Sequence, residues 1–128
     1  MKLNEDELEI IGQVTGKGAT RFEFIEYLME EYALEMISLT KGGDGSEVFM
    51  DGEHLTVKTD RIDSIADTVG AGDAYAAIVA AGYLRGWDPN RILSVATRFS
   101  GRLCTVRGAI PSVRFYKEFR DIIEGEKE

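Results

Sequence analysis

The residues from Asp67 to Gly86 read DTVGAGDAYAAIVAAGYLRG, and two glycines, at positions 70 and 72, stand directly before a run of small apolar residues. Alanine is the best helix former, so this pattern predicts a helix that begins near residue 70 and contains the alanines at positions 71, 74, 76, 77, 80 and 81. Gly86 is placed to end that helix. The chain must therefore fold around a small-residue helix whose N-terminus is nearly bare backbone.

A helix that begins in this way can bind an anion. Its first N–H groups have no partner within the helix, and glycine lets a ligand approach them because no Cβ intervenes. The helix dipole adds about 0.3 to 1 kcal/mol in favour of negative charge, so the main chain can hold a phosphoryl group. Asp73 would repel that phosphate, so its position makes most sense if it accepts a proton from the attacking hydroxyl group. In the alternative interpretation Asp67 or Thr68 caps the helix, the glycines only turn the chain, and Asp73 is an ordinary first-turn acid.

Patterns before this segment predict helices followed by strands. Asn4 and Glu7 have the spacing of a capping box at the start of a short helix. A second, amphipathic helix is predicted from apolar residues three and four apart, namely Phe22, Ile25, Leu28, Met29 and Tyr32. The segment EMISLT predicts a strand, and SEVFM and HLTVKT predict a β-hairpin around Asp51-Gly52.

The residues after Gly86 predict more helix. Asp88 and Pro89 suit the N-cap and first position of one helix, and another helix follows Ser112. With the alanine-rich helix, this gives at least three helices in the C-terminal part. Helices and strands in this order predict an α/β sandwich in which helices cover a sheet. The length of 128 residues predicts that residues 1–128 form a single domain.

Charge and hydropathy exclude some classes of partner. The net charge of −8 disfavours nucleic acid, and the longest apolar run, AYAAIVAAGYL, is far shorter than the roughly 20 residues that cross a bilayer. The N-terminus is acidic, unlike a signal peptide, so a cytoplasmic protein is expected. Cys104 is the only cysteine and is expected in the core, whereas His54, the only histidine, is expected to face solvent.

The segment DTVGAGD resembles the C-terminal signature of the ribokinase-like (PfkB) carbohydrate kinases, D-T-x-G-A-G-D, at every defined position. The resemblance implies the C-terminal portion of a three-layer α/β/α sandwich and ATP-dependent phosphoryl transfer to a sugar hydroxyl. It makes Asp73 the catalytic base and gives the anion hole to Gly70, Ala71 and Gly72. It also assigns Thr68 to nucleotide binding and Asp67 to metal binding.

Three further segments resemble the same family in order and spacing. LNEDE is similar to its N-x-x-E motif, which would give Asn4 and Glu7 a part in organising Mg²⁺, although a capping box explains the same residues. LTKGGDGS resembles its T-x-G-x-x-G turn along the nucleotide phosphates, although the segment can also be a plain loop between strands. VRGAIPS resembles the segment after the adenine-side helix. The implied nucleotide-binding residues are Thr40, Gly42, Gly45, Thr97, Gly108 and Ala109.

The resemblance covers only the C-terminal part of such a kinase, whose N-terminal half carries most of the sugar-binding residues. The implied ligands are ATP, Mg²⁺ and a sugar, with a monovalent cation such as K⁺ as a further candidate, and the sequence is slightly more similar to fructokinase-like members than to nucleoside kinases. The chain is expected to self-associate or to pair with the missing half. The alternatives are a non-catalytic nucleotide-binding or interaction module and a purely structural fragment.

Overall fold

The computed structural model describes residues 1–17, 20–60, 65–108 and 110–124, without the side chain of Ile122. The chain divides into two compact units, Met1–Val57 and Lys58–Glu128. The first contains β1 (Lys2–Asn4), α1 (Glu5–Thr15), α2 (Arg21–Glu31), β2 (Met36–Thr40), a 3₁₀ turn (Gly42–Asp44), β3 (Ser46–Met50) and β4 (Glu53–Val57). The second contains α3 (Ala71–Leu84), α4 (Pro89–Leu103) and α5 (Val113–Glu124). The α/β class, the hairpin and the three C-terminal helices are confirmed, and the single domain stays a prediction.

The first unit is built on a sheet with the strand order β1-β2-β3-β4. The hairpin of β3 and β4 turns at Asp51 and Gly52, whose φ angles of 54° and 75° give the twist that a two-residue hairpin turn requires. Strand β1 was not predicted. It is three residues long and runs parallel to β2, with Leu3 opposite Leu39, so distant pairing defines it and a local pattern does not.

The core of the first unit lies between the sheet and the two helices. Helix α2 buries Phe24, Ile25 and Leu28. The prediction that Phe22 and Tyr32 share this buried face is wrong, because their exposed fractions are 50% and 56%. Phe24, four residues before Leu28, occupies the position on the buried face that the sequence pattern assigned to Phe22.

The predicted ends of α3 and α4 are confirmed. Gly86 has a φ of 68°, and the N–H groups of Trp87 and Gly86 donate to the carbonyls of Gly82 and Tyr83 at 2.9 and 3.0 Å, the pair of bonds of a Schellman motif. Asp88 then caps α4 by accepting a hydrogen bond from the N–H of residue 91 at 3.1 Å. The two helices are thus joined by a short, fully specified turn. Within the described ranges no helix is long and apolar enough to cross a membrane.

Gly82 allows the close packing of this turn. A Cβ added there would lie 2.8 Å from Trp87 Cε3 and 2.9 Å from Ile92 Cγ1, which is too close. Glycine is therefore required here even though alanine is the better helix former. We expect Gly82→Ala to lower the free energy of unfolding by about 1 to 3 kcal/mol because of overpacking. Gly12→Ala is the matched control, because its Cβ would meet only Phe24, at 3.6 Å. This variant should raise the free energy of unfolding by about 0.5 to 1 kcal/mol. Urea denaturation of both variants tests this, and equal effects would contradict it.

Candidate functional site

The N-terminus of α3 is formed by a glycine turn. Gly70 is the N-cap residue, with a φ of 81° in the left-handed region, and no side chain caps the helix. A residue with a Cβ would be strained in this conformation, which explains the glycine. The interpretation in which Asp67 or Thr68 caps α3 is therefore wrong.

Two amides at this helix end are open. The Ala71 N–H donates to the Thr68 carbonyl at 3.2 Å, and the Ala74 N–H donates to the Gly70 carbonyl at 2.9 Å as the helix begins. The N–H groups of Gly72 and Asp73 form no hydrogen bond with any residue that the structure describes. An anion can therefore bind to these two donors directly, whereas the Ala71 amide, part of the predicted anion hole, is already engaged.

Asp73 lies in the first turn of α3 and is exposed. Within the described part of the chain its carboxylate has neither a hydrogen bond nor an ion pair. The group is accessible and can accept a proton from a hydroxyl that approaches the same helix end. The first turn of α3 thus carries both an accessible carboxylate and open amides.

The Asp67 carboxylate links two segments of the second unit. Its Oδ1 accepts a hydrogen bond from the Val69 N–H at 2.9 Å, and its Oδ2 accepts one from the Gly108 N–H at 3.2 Å. These backbone amides hold the pKa of the Asp67 carboxyl below its usual range. The N–H groups of Ala66 and Asp67 also donate to the Cys104 carbonyl, at 2.9 and 3.2 Å. The segment before α3 is therefore tied to the end of α4, and a metal-binding role for Asp67 stays a prediction.

The Asp67 link can be tested by hydrogen exchange. We expect Asp67→Ala to speed exchange of the Val69 and Gly108 amides, because each amide loses its hydrogen-bond acceptor. NMR exchange rates measure this, with Asp60→Ala, at an exposed aspartate of the same unit, as the matched control. Unchanged protection of Gly108 in Asp67→Ala would show that the link does not form in solution.

The other predicted residues of the second unit lie on α4 and after it. Thr97 is buried in α4, and Gly108 has a φ of 81°. Ala109 lies outside the described residues. Cys104 is half-buried at the C-cap of α4, where burial raises the pKa of its thiol, so the prediction of a core cysteine is only partly right.

The predicted metal-organising pair in the first unit forms a capping box. The Glu7 N–H donates to Asn4 Oδ1 at 2.7 Å, and the Asn4 N–H donates to Glu7 Oε2 at 2.8 Å. No group of three His, Cys, Asp or Glu side chains suited to a metal occurs among the residues that the structure describes. Mg²⁺ commonly keeps several waters and takes one or two carboxylates, and exposed Glu7 is compatible with that mode.

The predicted phosphate turn between β2 and β3 depends on glycine. Gly42 has a φ of 55° and Gly45 a φ of 103°, so both adopt conformations that other residues avoid. The Lys41 N–H donates to the Gly45 carbonyl at 2.9 Å and closes the turn. The Thr40 hydroxyl donates to the Leu3 carbonyl at 3.4 Å and so joins the beginning of the turn to β1.

Sequence reasoning missed a buried carboxylate beside this turn. Glu47 on β3 is 3% exposed and pairs with Arg21, with Lys41 Nζ at 2.7 Å and with His54 Nε2 at 3.0 Å. Burial raises the pKa of Glu47, but the hydrogen bonds from Arg21, Lys41 and His54 outweigh it and lower the pKa to about 2. The strand alternation, which places Glu47 on the same face as Phe49, was the one available signal.

Comparison with known proteins gives one matching family. The family model described as "pfkB family carbohydrate kinase" matches residues 1–115. A curated 2-dehydro-3-deoxygluconokinase from Thermoproteus tenax is 34% identical over 91 residues, which are 69% of this chain and 28% of that protein. The chain thus spans less than a third of the length of this relative.

Two solved structures illustrate the shared fold. A ribokinase II from E. coli, solved with ATP and Mg²⁺, has a TM-score of 0.74 and 22% identity over 84% of this chain and 33% of its own. An adenosine kinase from Sinorhizobium meliloti has a TM-score of 0.78 and 22% identity over 94% of this chain and 35% of its own. At this identity the likeness shows the fold alone, and that fold is ribokinase-like.

Proposed function

The chain belongs to the pfkB family of carbohydrate kinases, and from this premise we propose that it carries the ATP-binding and catalytic-base portion of an enzyme that phosphorylates a sugar hydroxyl. One observation carries the proposal. The segment DTVGAGD forms a left-handed Gly70 turn, two open amides and an exposed Asp73 at a single helix end. These are the parts that phosphoryl transfer needs, namely donors for a migrating phosphoryl group and a base for the attacking alcohol.

In the proposed reaction the sugar oxygen attacks the γ-phosphorus of ATP while the bond to the bridging oxygen of ADP breaks. Asp73 accepts the hydroxyl proton as the new bond forms. The Gly72 and Asp73 amides stabilise the negative charge on the transferred group, and the Ala71 amide joins them if its bond to the Thr68 carbonyl opens. Gly70 allows the turn that presents these amides.

The remaining predicted residues receive roles around the nucleotide. We assign the phosphates to the turn of Thr40, Gly42 and Gly45, and further nucleotide contacts to Thr68, Thr97, Gly108 and Ala109. Asn4 and Glu7 would hold Mg²⁺ through water, and the ion would neutralise charge on the phosphates. Asp67 is a candidate metal-binding residue of the second unit, and the segment of Gly108 and Ala109 is the candidate for a monovalent cation such as K⁺. An enzyme that consumes ATP is expected in the cytoplasm.

The acceptor is proposed only as a class. The three proteins compared above are named for different acceptors: a sugar acid, ribose and adenosine. The sequence favoured fructokinase-like members, and the curated relative adds 2-dehydro-3-deoxygluconate. Fructose, 2-dehydro-3-deoxygluconate, ribose and adenosine therefore form the acceptor panel.

The proposal is tested in two steps. ATP·Mg²⁺ is titrated into the chain by calorimetry, and the acceptor panel is then assayed with the chain alone and with the N-terminal half of a related sugar kinase supplied. We expect nucleotide binding to the chain and phosphoryl transfer in at least one of the two assays. Binding without transfer to any acceptor would favour a non-catalytic nucleotide-binding module, and absence of binding would overturn the proposal.

We also propose that the chain associates through the β1 side of its sheet. Strand β1 is at an end of the strand order, and Ile10 and Val14 on the adjoining helix α1 are 59% and 82% exposed. Strand edges at the end of a sheet and exposed apolar side chains both attract partners. We expect sedimentation to show self-association of the chain, or pairing with a supplied N-terminal half, and Val14→Lys to weaken either. A strictly monomeric chain that ignores the supplied half would contradict this.

A further inference from the structure

The Glu47 carboxylate joins three separate segments of the first unit. Arg21 is the first residue of α2, Lys41 follows β2, and His54 lies on β4. The Glu47 side chain is 4% exposed, whereas those of Arg21, Lys41 and His54 are 35%, 21% and 34% exposed. The carboxylate is therefore at the centre of the cluster, and its partners surround it toward solvent.

Lys41 connects this cluster to the phosphate turn. Its side chain reaches Glu47 Oε1 at 2.7 Å, while its main chain accepts a hydrogen bond from the Asp44 N–H at 3.1 Å and donates one to the Gly45 carbonyl at 2.9 Å. The main chain of Lys41 thus closes the turn, while its side chain is fixed by Glu47 on β3. A turn with three glycines in four residues has much conformational freedom to lose, so an anchor of this kind matters for its order.

We infer that Glu47 is a positioning residue for nucleotide binding: it fixes Lys41, and through Lys41 it fixes the main chain of the Gly42–Gly45 turn. The inference rests on the proposed function, which assigns this turn to the nucleotide phosphates. A main chain that is already ordered binds phosphate without a further loss of conformational entropy. Because the Lys41 ammonium is paired with Glu47, the turn would act on phosphates through its backbone and not through that charge.

The first measurement needs no nucleotide. In Glu47→Gln the carboxylate charge is lost with little change of shape, and we expect the NMR amide signals of Gly42, Gly43 and Gly45 to shift or broaden. Lys41→Met should produce the same changes from the other side of the contact. Glu53→Gln, an exposed glutamate on β4, is the matched control and should leave the three signals unchanged. Because the chain needs no ligand here, failure of the kinase proposal leaves this test intact.

The second measurement is the dissociation constant of ATP·Mg²⁺. Glu47→Gln and Lys41→Met should each raise it about fivefold, and the double variant should raise it no further, because both remove the same anchor. Val48→Ala controls for lost stability and should leave the dissociation constant unchanged, because Val48 is a buried residue of β3 whose strand partners are Ser38 and Leu55. All variants are compared at a temperature at which circular dichroism shows them folded.

Three results would overturn the inference. The first is an unchanged set of turn signals in Glu47→Gln or, where that variant does not fold, in Lys41→Met. The second is tighter binding in Glu47→Gln, which would mean that Lys41 binds phosphate once released. The third is the same loss of affinity in Val48→Ala, which would reduce Glu47 to a stabilising residue. If the wild-type chain does not bind ATP·Mg²⁺ at all, the proposed function fails, and the turn signals alone decide whether Glu47 orders the turn.

Discussion

Replacing Asp73 by asparagine is expected to lower the turnover number at least about a hundredfold, because general-base catalysis typically contributes 10²- to 10⁴-fold in rate. The affinity for ATP·Mg²⁺ should stay nearly unchanged. Asparagine keeps the backbone N–H and the size of the side chain but cannot accept the hydroxyl proton. Asp73 is exposed and has no hydrogen-bond partner in the described residues, so the substitution breaks no contact that supports the fold.

Steady-state kinetics and calorimetry together test this expectation, in whichever form of the protein transfers phosphate to an acceptor. Asp121→Asn, at an exposed aspartate on α5, is the matched control and should retain wild-type turnover. Turnover that survives in Asp73→Asn would remove the residue from the mechanism. A parallel loss of nucleotide affinity would instead indicate a disturbed helix end.

Of the substitutions proposed here, Glu47→Gln should lower the free energy of unfolding the most. Removing one member of a buried charged group typically costs 3 to 5 kcal/mol, and the partial exposure of Arg21 and Lys41 reduces this to about 2 to 4 kcal/mol. Glu118→Gln is the control, because the pair that Glu118 forms with Arg102 is half exposed and should contribute less than about 1 kcal/mol. Equal midpoints of urea denaturation for the two variants would contradict the assignment.

The same residue predicts how stability depends on pH. The pKa of Glu47 is about 2 in the folded chain against 4.5 as the ordinary value, so its contribution is complete above pH 4.5 and disappears as the pH falls toward 2. Between pH 6 and pH 3 the wild type should lose about 2 kcal/mol more than Glu47→Gln, at 1.36 kcal/mol per pKa unit. Parallel curves for the two proteins would contradict the low pKa.

Sequence reasoning succeeded where a few neighbouring residues determine the structure. Asp51 and Gly52 specify a hairpin turn on their own, and Asp88 with Pro89 specifies a helix start, because each signal acts within one turn of chain. The glycine turn before Asp73 belongs to the same class. Its geometry follows from the left-handed conformation that Gly70 can adopt, whichever residues surround it.

The features that sequence reasoning missed depend on distant partners. Strand β1 exists because Leu3 lies beside Leu39, and three residues carry no alternation of their own. Glu47 is an ordinary glutamate in sequence, and its burial is possible only because the other three members of its cluster, at positions 21, 41 and 54, come from separate segments. The bond between Asp67 and Gly108 spans 41 positions, so no motif around either residue predicts it.

That last bond also bears on how the protein matures during synthesis. Ribosomes add about 5 to 20 residues per second, whereas helices and short loops form within microseconds, so α3 and α4 can pair as soon as both have emerged. The Asp67 carboxylate can form its bond to the Gly108 amide only after Gly108, 41 positions later, has been translated. We therefore expect a released chain that stops at residue 107 to contain the pair of helices, whereas its Asp67 carboxylate lacks one of its two hydrogen bonds and the segment before α3 is less ordered.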